Sequence, residues 1–168
     1  FFFFMYRLPP RSTLFPYPTL FRSQFNKNGA VIGFHPNTPI QCRTPSGILN
    51  IGTDSIAVKL YDSGKIQECY LSKPLRVKNA AGTFVCSMET SLYENGSVSG
   101  TMLAEPAYLK TPLGIIHAYD RVEFATNGLV RFAMLKSPAV IAGKRFPART
   151  PIEFDEHGKL KHGPVEGH

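Results

Sequence analysis

The side chains that could do chemistry here are five histidines, three cysteines and a group of tyrosines and lysines. His117, Asp120 and Glu123 make the best acid–base grouping, an imidazole followed by two carboxylates. Acid–base catalysis needs such groups within hydrogen-bond reach of one another. On a strand His117 and Glu123 point to one side but lie far apart, so the grouping reads as an exposed polar edge. His157, His162 and His168 could together hold a metal weakly, but their spacing matches no standard ligand pattern. Beside Gly158, His157 reads as an exposed turn residue. Cys42, Cys69 and Cys86 also lack ligand spacing, and three is an odd number for a disulfide framework. They read as buried small hydrophobes, with one disulfide left open. No nucleophile-elbow serine, phosphate-cradling glycine loop or paired-cysteine motif occurs. The expectation is a protein that is not an enzyme, with no catalytic residue, no cofactor and no metal.

Binding is the wider opening. Tyr61 and Tyr93, with Lys59 and Lys65, form a candidate binding surface, and Lys73, Arg76 and Lys78 add charge to the same stretch. Exposed tyrosines with basic neighbours stack on sugars, bases or lipid headgroups. The equivalent later positions are Ala125 and Asp155, so the stripe is not sustained, and a solvated face is the plainer reading. The formal charge is +7, and removing Arg7, Arg11 and Arg22, whose segment is set apart below, leaves +4. A surplus that small argues for a protein partner first and an anionic membrane or envelope surface second, with nucleic acid not expected.

The elements that position these residues are set by a repeat. Gly29, Gly64, Gly96, Gly128 and Gly158 recur at intervals of 35, 32, 32 and 30 residues, each in a near-copy of one phrase such as Leu-Tyr-Glu-Asn-Gly-Ser-Val. A fixed period of this size marks a repeat architecture. Ten residues beyond the turn glycine stands Pro39, Pro74, Pro106 or Pro138, and eighteen beyond stands a second glycine, Gly47, Gly82 or Gly114. Gly143 is its nearest equivalent in the shorter fourth copy. Proline cannot donate to a ladder, so it marks a corner or a strand edge.

Apolar residues alternate around each turn. Four before the glycine stand Leu60, Leu92, Phe124 and Phe154, with Phe25 ahead of them; two after it stand Val31, Ile66, Val98, Val130 and Leu160. Period two marks a strand with one buried face. Asn-Gly between alternating hydrophobics predicts a hairpin closed by a type I′ turn, in which both central residues have positive φ. The second glycine predicts a smaller hairpin, giving about four short strands and two turns per copy. No segment has helical spacing. Stacked copies put like on like, so Leu60, Leu92, Phe124 and Phe154 form one core ladder and Ile66, Val98, Val130 and Leu160 another.

The expected fold is therefore all-β, an elongated array of stacked β-hairpins or a β-solenoid, with about four and a half copies of a unit near 32 residues. A closed propeller is disfavoured, because a blade takes about 40–50 residues.

Tyr93-Glu-Asn-Gly-Ser-Val-Ser-Gly100 and Phe154-Asp-Glu-His-Gly-Lys-Leu-Lys-His-Gly163 resemble MORN-type repeats and the related bacterial repeats known as antitoxin-like. The likeness touches most of Phe25–Gly163, through the turn phrase alone. The MORN unit is shorter and richer in tyrosine and glycine; this unit adds a proline corner and a second hairpin. The resemblance implies an elongated antiparallel array used for interaction or scaffolding, in some relatives at membranes, and a bacterial source. It implies no catalytic residue.

Residues Thr13–Ser23 match a translated short-read sequencing adapter at every position but Pro18, and Phe1–Phe4 resembles a translated T-run. The expectation is that residues 1–23 are an adapter-derived segment of irregular structure, and that residues 24–168 form one β-repeat domain. Natural sequence is then expected upstream of Gln24, and any native signal peptide would be lost with it.

Three functional expectations follow. The first is a non-catalytic repeat scaffold or protein-interaction module. The second is a membrane- or envelope-associated binding module. The third is a repeat tail of a larger enzyme or toxin whose catalytic domain lay upstream.

Overall fold

The computed structural model describes residues 20–53 and 58–162. Over these residues the chain consists of strands and turns, with no helix. The strands are β1 (Leu20–Phe25), β2 (Val31–Pro36), β3 (Ile40–Thr44), β4 (Gly47–Ile51), β5 (Val58–Leu60), β6 (Ile66–Asn79), β7 (Gly82–Leu92), β8 (Val98–Leu103), β9 (Ala107–Thr111), β10 (Gly114–Phe124), β11 (Val130–Leu135), β12 (Ala139–Ile141), β13 (Lys144–Phe146), β14 (Pro151–Phe154) and β15 (Leu160–His162).

One antiparallel sheet runs in the order β1-β2-β5-β6-β7-β8-β10-β11-β14-β15, and it does not close on itself. Strands β3, β4 and β9 branch from it, and β12 pairs with β13 alone. Residues 1–19 of the segment read as foreign lie outside the described residues. Leu20–Ser23 do not: they stand in β1, where Leu20 and Phe21 pair with Pro36 and His35. Pairing thus starts four residues ahead of the boundary read from the sequence.

The five turn glycines join successive strands of the sheet, but not through the type I′ turn expected. In each, the glycine N–H donates to the carbonyl three residues back, as Gly96 does to Tyr93 at 2.8 Å. The residue whose carbonyl accepts that bond also closes the loop by donating its own N–H to the carbonyl of the residue after the glycine, as Tyr93 does to Ser97 O at 2.8 Å. Only the glycine has positive φ, between 78° and 83°; Asn28, Asn95 and Asn127 do not. This is a type I turn followed by a left-handed glycine, the three-residue hairpin loop. The neighbouring side chains hold it. Asn95 Oδ1 accepts the Ser97 N–H at 2.9 Å, and Asp155 Oδ1 accepts those of His157 and Lys159 at 2.9 and 2.8 Å.

The second glycines start strands β4, β7 and β10 with φ near 130°, each closing a two-residue loop: Thr44 pairs with Gly47, Asn79 with Gly82, and Thr111 with Gly114. The type I′ turn does occur, at the fourth small hairpin, where Ala142 and Gly143 both have positive φ (52° and 79°) between β12 and β13.

Fewer, longer strands appear than four per copy. β7 and β10 serve first as the return strand of a small hairpin and then continue into the main sheet. A bulge divides the two halves: in β7 the register breaks between Ser87 and Thr90, and in β10 between Tyr119 and Val122. Met88 and Asp120 sit in these breaks with φ of 50° and 60°. A bulge bends the strand and raises its twist, and here it turns the chain out of one layer into the other.

The small hairpins lie over one face of the main sheet. Phe84 from the hairpin half of β7 stacks on Phe124 from the sheet half of β10, with ring centroids 4.7 Å apart. Leu92, Phe124, Phe154, Ile66, Val98 and Val130 are buried from the sheet side, and Cys42, Leu49, Val77, Leu109, Ile116, Ile141 and Phe146 from the hairpin side. Leu60 and Leu160 are half-buried against the same core. A fully buried side chain of this size contributes about 1.5–3 kcal/mol.

Candidate binding surface

Tyr61 and Tyr93 are half-buried, and each hydroxyl donates at 2.7 Å to a backbone carbonyl of the following phrase: Tyr61 to Leu92 and Tyr93 to Phe124. They act as staples between neighbouring turns. Lys59 is exposed but holds Glu68 across the sheet at 2.9 Å, and Lys65 lies exposed in the turn after Gly64. Three of the four residues singled out for binding, Tyr61, Tyr93 and Lys59, are thus committed to internal hydrogen bonds.

Two members of the acid–base grouping are engaged elsewhere. His117 is half-buried, stacked on Tyr108 at 4.3 Å, with its Nδ1 3.4 Å from Ser137 Oγ. Glu123 is engaged by Arg121 at 3.0 Å and Arg131 at 2.7 Å. His157 is exposed in its turn, 3.6 Å from Glu156. The His162 side chain and His168 lie outside the described residues, and among the described residues no three potential ligands cluster. The three thiols are free and buried. Burial pushes Cys69 up to about 12 and Cys86 up to about 11, which keeps both protonated and poorly nucleophilic.

Charge is sorted between the two layers. The outer face of the main sheet pairs its cations with carboxylates: Lys59 with Glu68, Arg121 and Arg131 with Glu123, and Lys161 with Glu153. The small hairpins are not balanced. Segments 40–51, 75–87, 107–118 and 139–146 contain Arg43, Arg76, Lys78, Lys110, Lys144 and Arg145, and no Asp or Glu.

Register aligns these cations. On the rung next to each turn Arg43 faces Ile48, Lys78 faces Thr83, Lys110 faces Ile115, and Arg145 faces Val140. Every hairpin therefore presents one cation opposite one β-branched residue. All four cations are exposed, and Ile115 and Val140 are 66% and 68% exposed. Tyr108 adds an aromatic ring, 71% exposed, on the rung beyond Lys110. The hairpins sit side by side, since Lys110 N–H donates to Ala81 O at 2.8 Å and a Cβ on Gly47 would lie 3.0 Å from Leu75 Cδ1. Like charges in a row repel, so the row costs stability and attracts anions. The absence of acid from four separated segments was the signal in the sequence. It escapes a net-charge count, because the acids of the other layer cancel it.

A groove of about 310 Å³ lies beside Arg43, Lys65 and Glu94, where the first hairpin meets two turns. Grooves of 270 and 180 Å³ occupy equivalent places further along the chain. Recurrence with the phrase makes them interstices of the packing, with no one of them distinguished by its chemistry.

Compared with protein-family models, with curated proteins and with solved structures, the chain matches none.

Proposed function

We propose that the chain is a stacked β-hairpin repeat array acting as a non-catalytic scaffold, and that its small-hairpin face docks an acidic protein surface. The carrying observation is the acid-free row Arg43, Lys78, Lys110 and Arg145, each opposite a β-branched residue. Cations interleaved with apolar contact area suit a partner that offers carboxylates around hydrophobic side chains. The engagement of His117 by Tyr108 and Ser137, and of Glu123 by Arg121 and Arg131, supports the non-catalytic half of the reading.

A second reading is favoured by the same face. Exposed Ile115, Val140 and Tyr108 beside Lys110 and Arg145 also suit an anionic membrane, where each cation near the surface contributes about 1 kcal/mol. Binding of the intact chain to a fluorescent Glu/Leu copolymer peptide, and to vesicles with and without anionic lipid, tests the pair. Binding to the peptide at physiological salt supports the protein-docking reading. Sedimentation with anionic vesicles alone supports the second. Binding to neither overturns both. Substrate turnover lost on replacing His117 would overturn the non-catalytic assignment.

A further inference from the structure

In the first three small hairpins the rung one step further from the tip than the cation differs from copy to copy. Gln41 faces Asn50, Arg76 faces Val85, and Tyr108 faces His117. The first of these pairs is spent on itself, Gln41 Nε2 donating to Asn50 Oδ1 at 2.8 Å. In the third the two rings lie face to face, with centroids 4.3 Å apart and planes 11° apart. His117 therefore covers one face of Tyr108. The tyrosine is still 71% exposed, so its other face is open to solvent. His117 is itself held: its Nδ1 lies 3.4 Å from Ser137 Oγ, and its carbonyl accepts the Lys136 N–H at 2.8 Å. An open ring face braced from behind is a stacking platform, and an aromatic pair contributes about 0.5–1.5 kcal/mol beyond the area it buries.

Apolar exposure gathers around this platform. Ile115, opposite Lys110, is 66% exposed, Leu113 at the same tip 42%, and Val140 on the fourth hairpin 68%. The bond from Lys136 to His117 sets the start of the fourth hairpin beside β10. Among the described residues, the first two hairpins expose one large apolar side chain between them, Ile48 at 44%.

Cations rim the same patch. Lys110 stands two residues along β9 from Tyr108, on the same side of the strand because side chains repeat every second residue. The loop end of the second hairpin runs beside β9, since Lys110 N–H donates to Ala81 O and a Cβ on Gly82 would lie 3.5 Å from Tyr108 O. That brings up the rung of Lys78 and Thr83. On the far side Arg145 faces Val140. The acids nearest along the chain, Glu105 and Asp120, stand outside the hairpin segments. Binding energy in protein interfaces concentrates in a few central residues, tyrosine and arginine prominent among them.

We infer that the docking face has its energetic centre on the third and fourth hairpins, where the open face of Tyr108 takes an aromatic side chain that the partner carries among carboxylates. The inference rests on the acidic-partner reading and narrows it. The partner is an acidic segment with an aromatic anchor, its carboxylates meeting Lys78, Lys110 and Arg145. His117 is a positioning residue that holds the Tyr108 ring.

Two labelled copolymers of equal length and Glu content, one of Glu and Tyr and one of Glu and Ala, separate the anchor from the charge. Fluorescence anisotropy at physiological salt reads both affinities for the intact chain. The Glu/Tyr copolymer is expected to bind about tenfold more tightly. Tyr108→Ser, at an already exposed position, is expected to erase that margin and leave the Glu/Ala affinity unchanged. Tyr108→Trp is expected to keep the margin. His117→Ala is expected to narrow it, and His117→Phe, which restores a ring behind Tyr108, to bring it back. Ile48→Ser is expected to change neither affinity, and circular dichroism checks that each variant remains folded. Equal binding of the two copolymers, or a margin that survives Tyr108→Ser, overturns the inference and leaves the basic-face reading standing. A margin lost in Ile48→Ser overturns the placing of the centre, and one left whole by His117→Ala overturns the positioning role. Binding of neither copolymer overturns the basic-face reading and the inference together.

Discussion

Pro45 leaves no room for a side chain on Gly96: a Cβ there would lie 2.6 Å from the proline Cδ, while the adjacent Ser46 hydroxyl donates to the Gly96 carbonyl at 3.1 Å. Gly64 has the same φ within a few degrees and open space around it. Conformation and contact can therefore be separated by one pair of variants. Gly64→Ala is expected to cost about 1–2 kcal/mol for the left-handed backbone alone. Gly96→Ala is expected to cost a further 1–3 kcal/mol for overpacking against a stiff ring. Denaturant unfolding measures both, and equal losses would mean that the proline contact carries no energy.

The tyrosine staples make a second prediction. Tyr61→Phe and Tyr93→Phe keep the ring and remove the hydroxyl that reaches Leu92 O and Phe124 O. Each is expected to cost about 0.5–1.5 kcal/mol, the usual net value of one such hydrogen bond. Were the hydroxyls spent on ligand instead, these variants would lose binding and keep their stability.

A third concerns Thr90 and Thr101, a buried cross-strand pair with hydroxyl oxygens 2.9 Å apart. Thr101 Oγ1 also donates to Met102 O at 3.1 Å, so it is Thr101→Val that strands a hydroxyl, that of Thr90, and is expected to destabilise by about 1–3 kcal/mol. The double variant, Val at both positions, is expected to recover most of that loss. Additive losses in the double-mutant cycle would contradict the pairing.

The buried thiols predict how stability responds to alkali. Burial raises Cys69 from 9.0 to about 12 and Cys86 from 9.0 to about 11. Both stay protonated when folded but ionise above pH 9 when unfolded. Their contribution is fully present below pH 9 and is lost as pH rises toward 11 and 12. Between pH 9 and 11 each thiol is expected to remove about 1.4 kcal/mol per pH unit. In the native state at pH 8 none of the three is expected to react with a thiol reagent on the timescale of an unfolded control. Rapid labelling would show that the core opens.

How much of this was legible in the sequence depends on the period. The alternation placed Leu92, Phe124, Phe154, Val98 and Val130 in the core because period two leaves a strand no other way to bury one face. The turn glycines were legible for their positive φ, yet the turn type was not. Asn95-Gly96 suits a type I′ turn and equally a type I turn ending in a left-handed glycine, and the Tyr93–Ser97 bond that decides it goes with the register that pairs Leu92 with Val98. The bulges were invisible, since Met88 and Asp120 adopt positive φ without being glycine. With them went the two-layer arrangement, because the bulge is what sends β7 and β10 from one layer to the other. The binding face was hidden for a related reason: only the layering separates Arg43, Lys78, Lys110 and Arg145 from the sheet's paired charges.

The most direct test compares two sets of charge reversals. One replaces Arg43, Lys78, Lys110 and Arg145 with Glu; the other replaces Lys59, Arg131 and Lys161, on the sheet's outer face, with Glu. Affinity for the acidic copolymer at physiological salt, measured by fluorescence anisotropy, is expected to fall at least tenfold for the first set, about 1.4 kcal/mol or more, and to change little for the second. Equal losses from both sets would show that net charge and not the hairpin row drives binding, and would contradict the account.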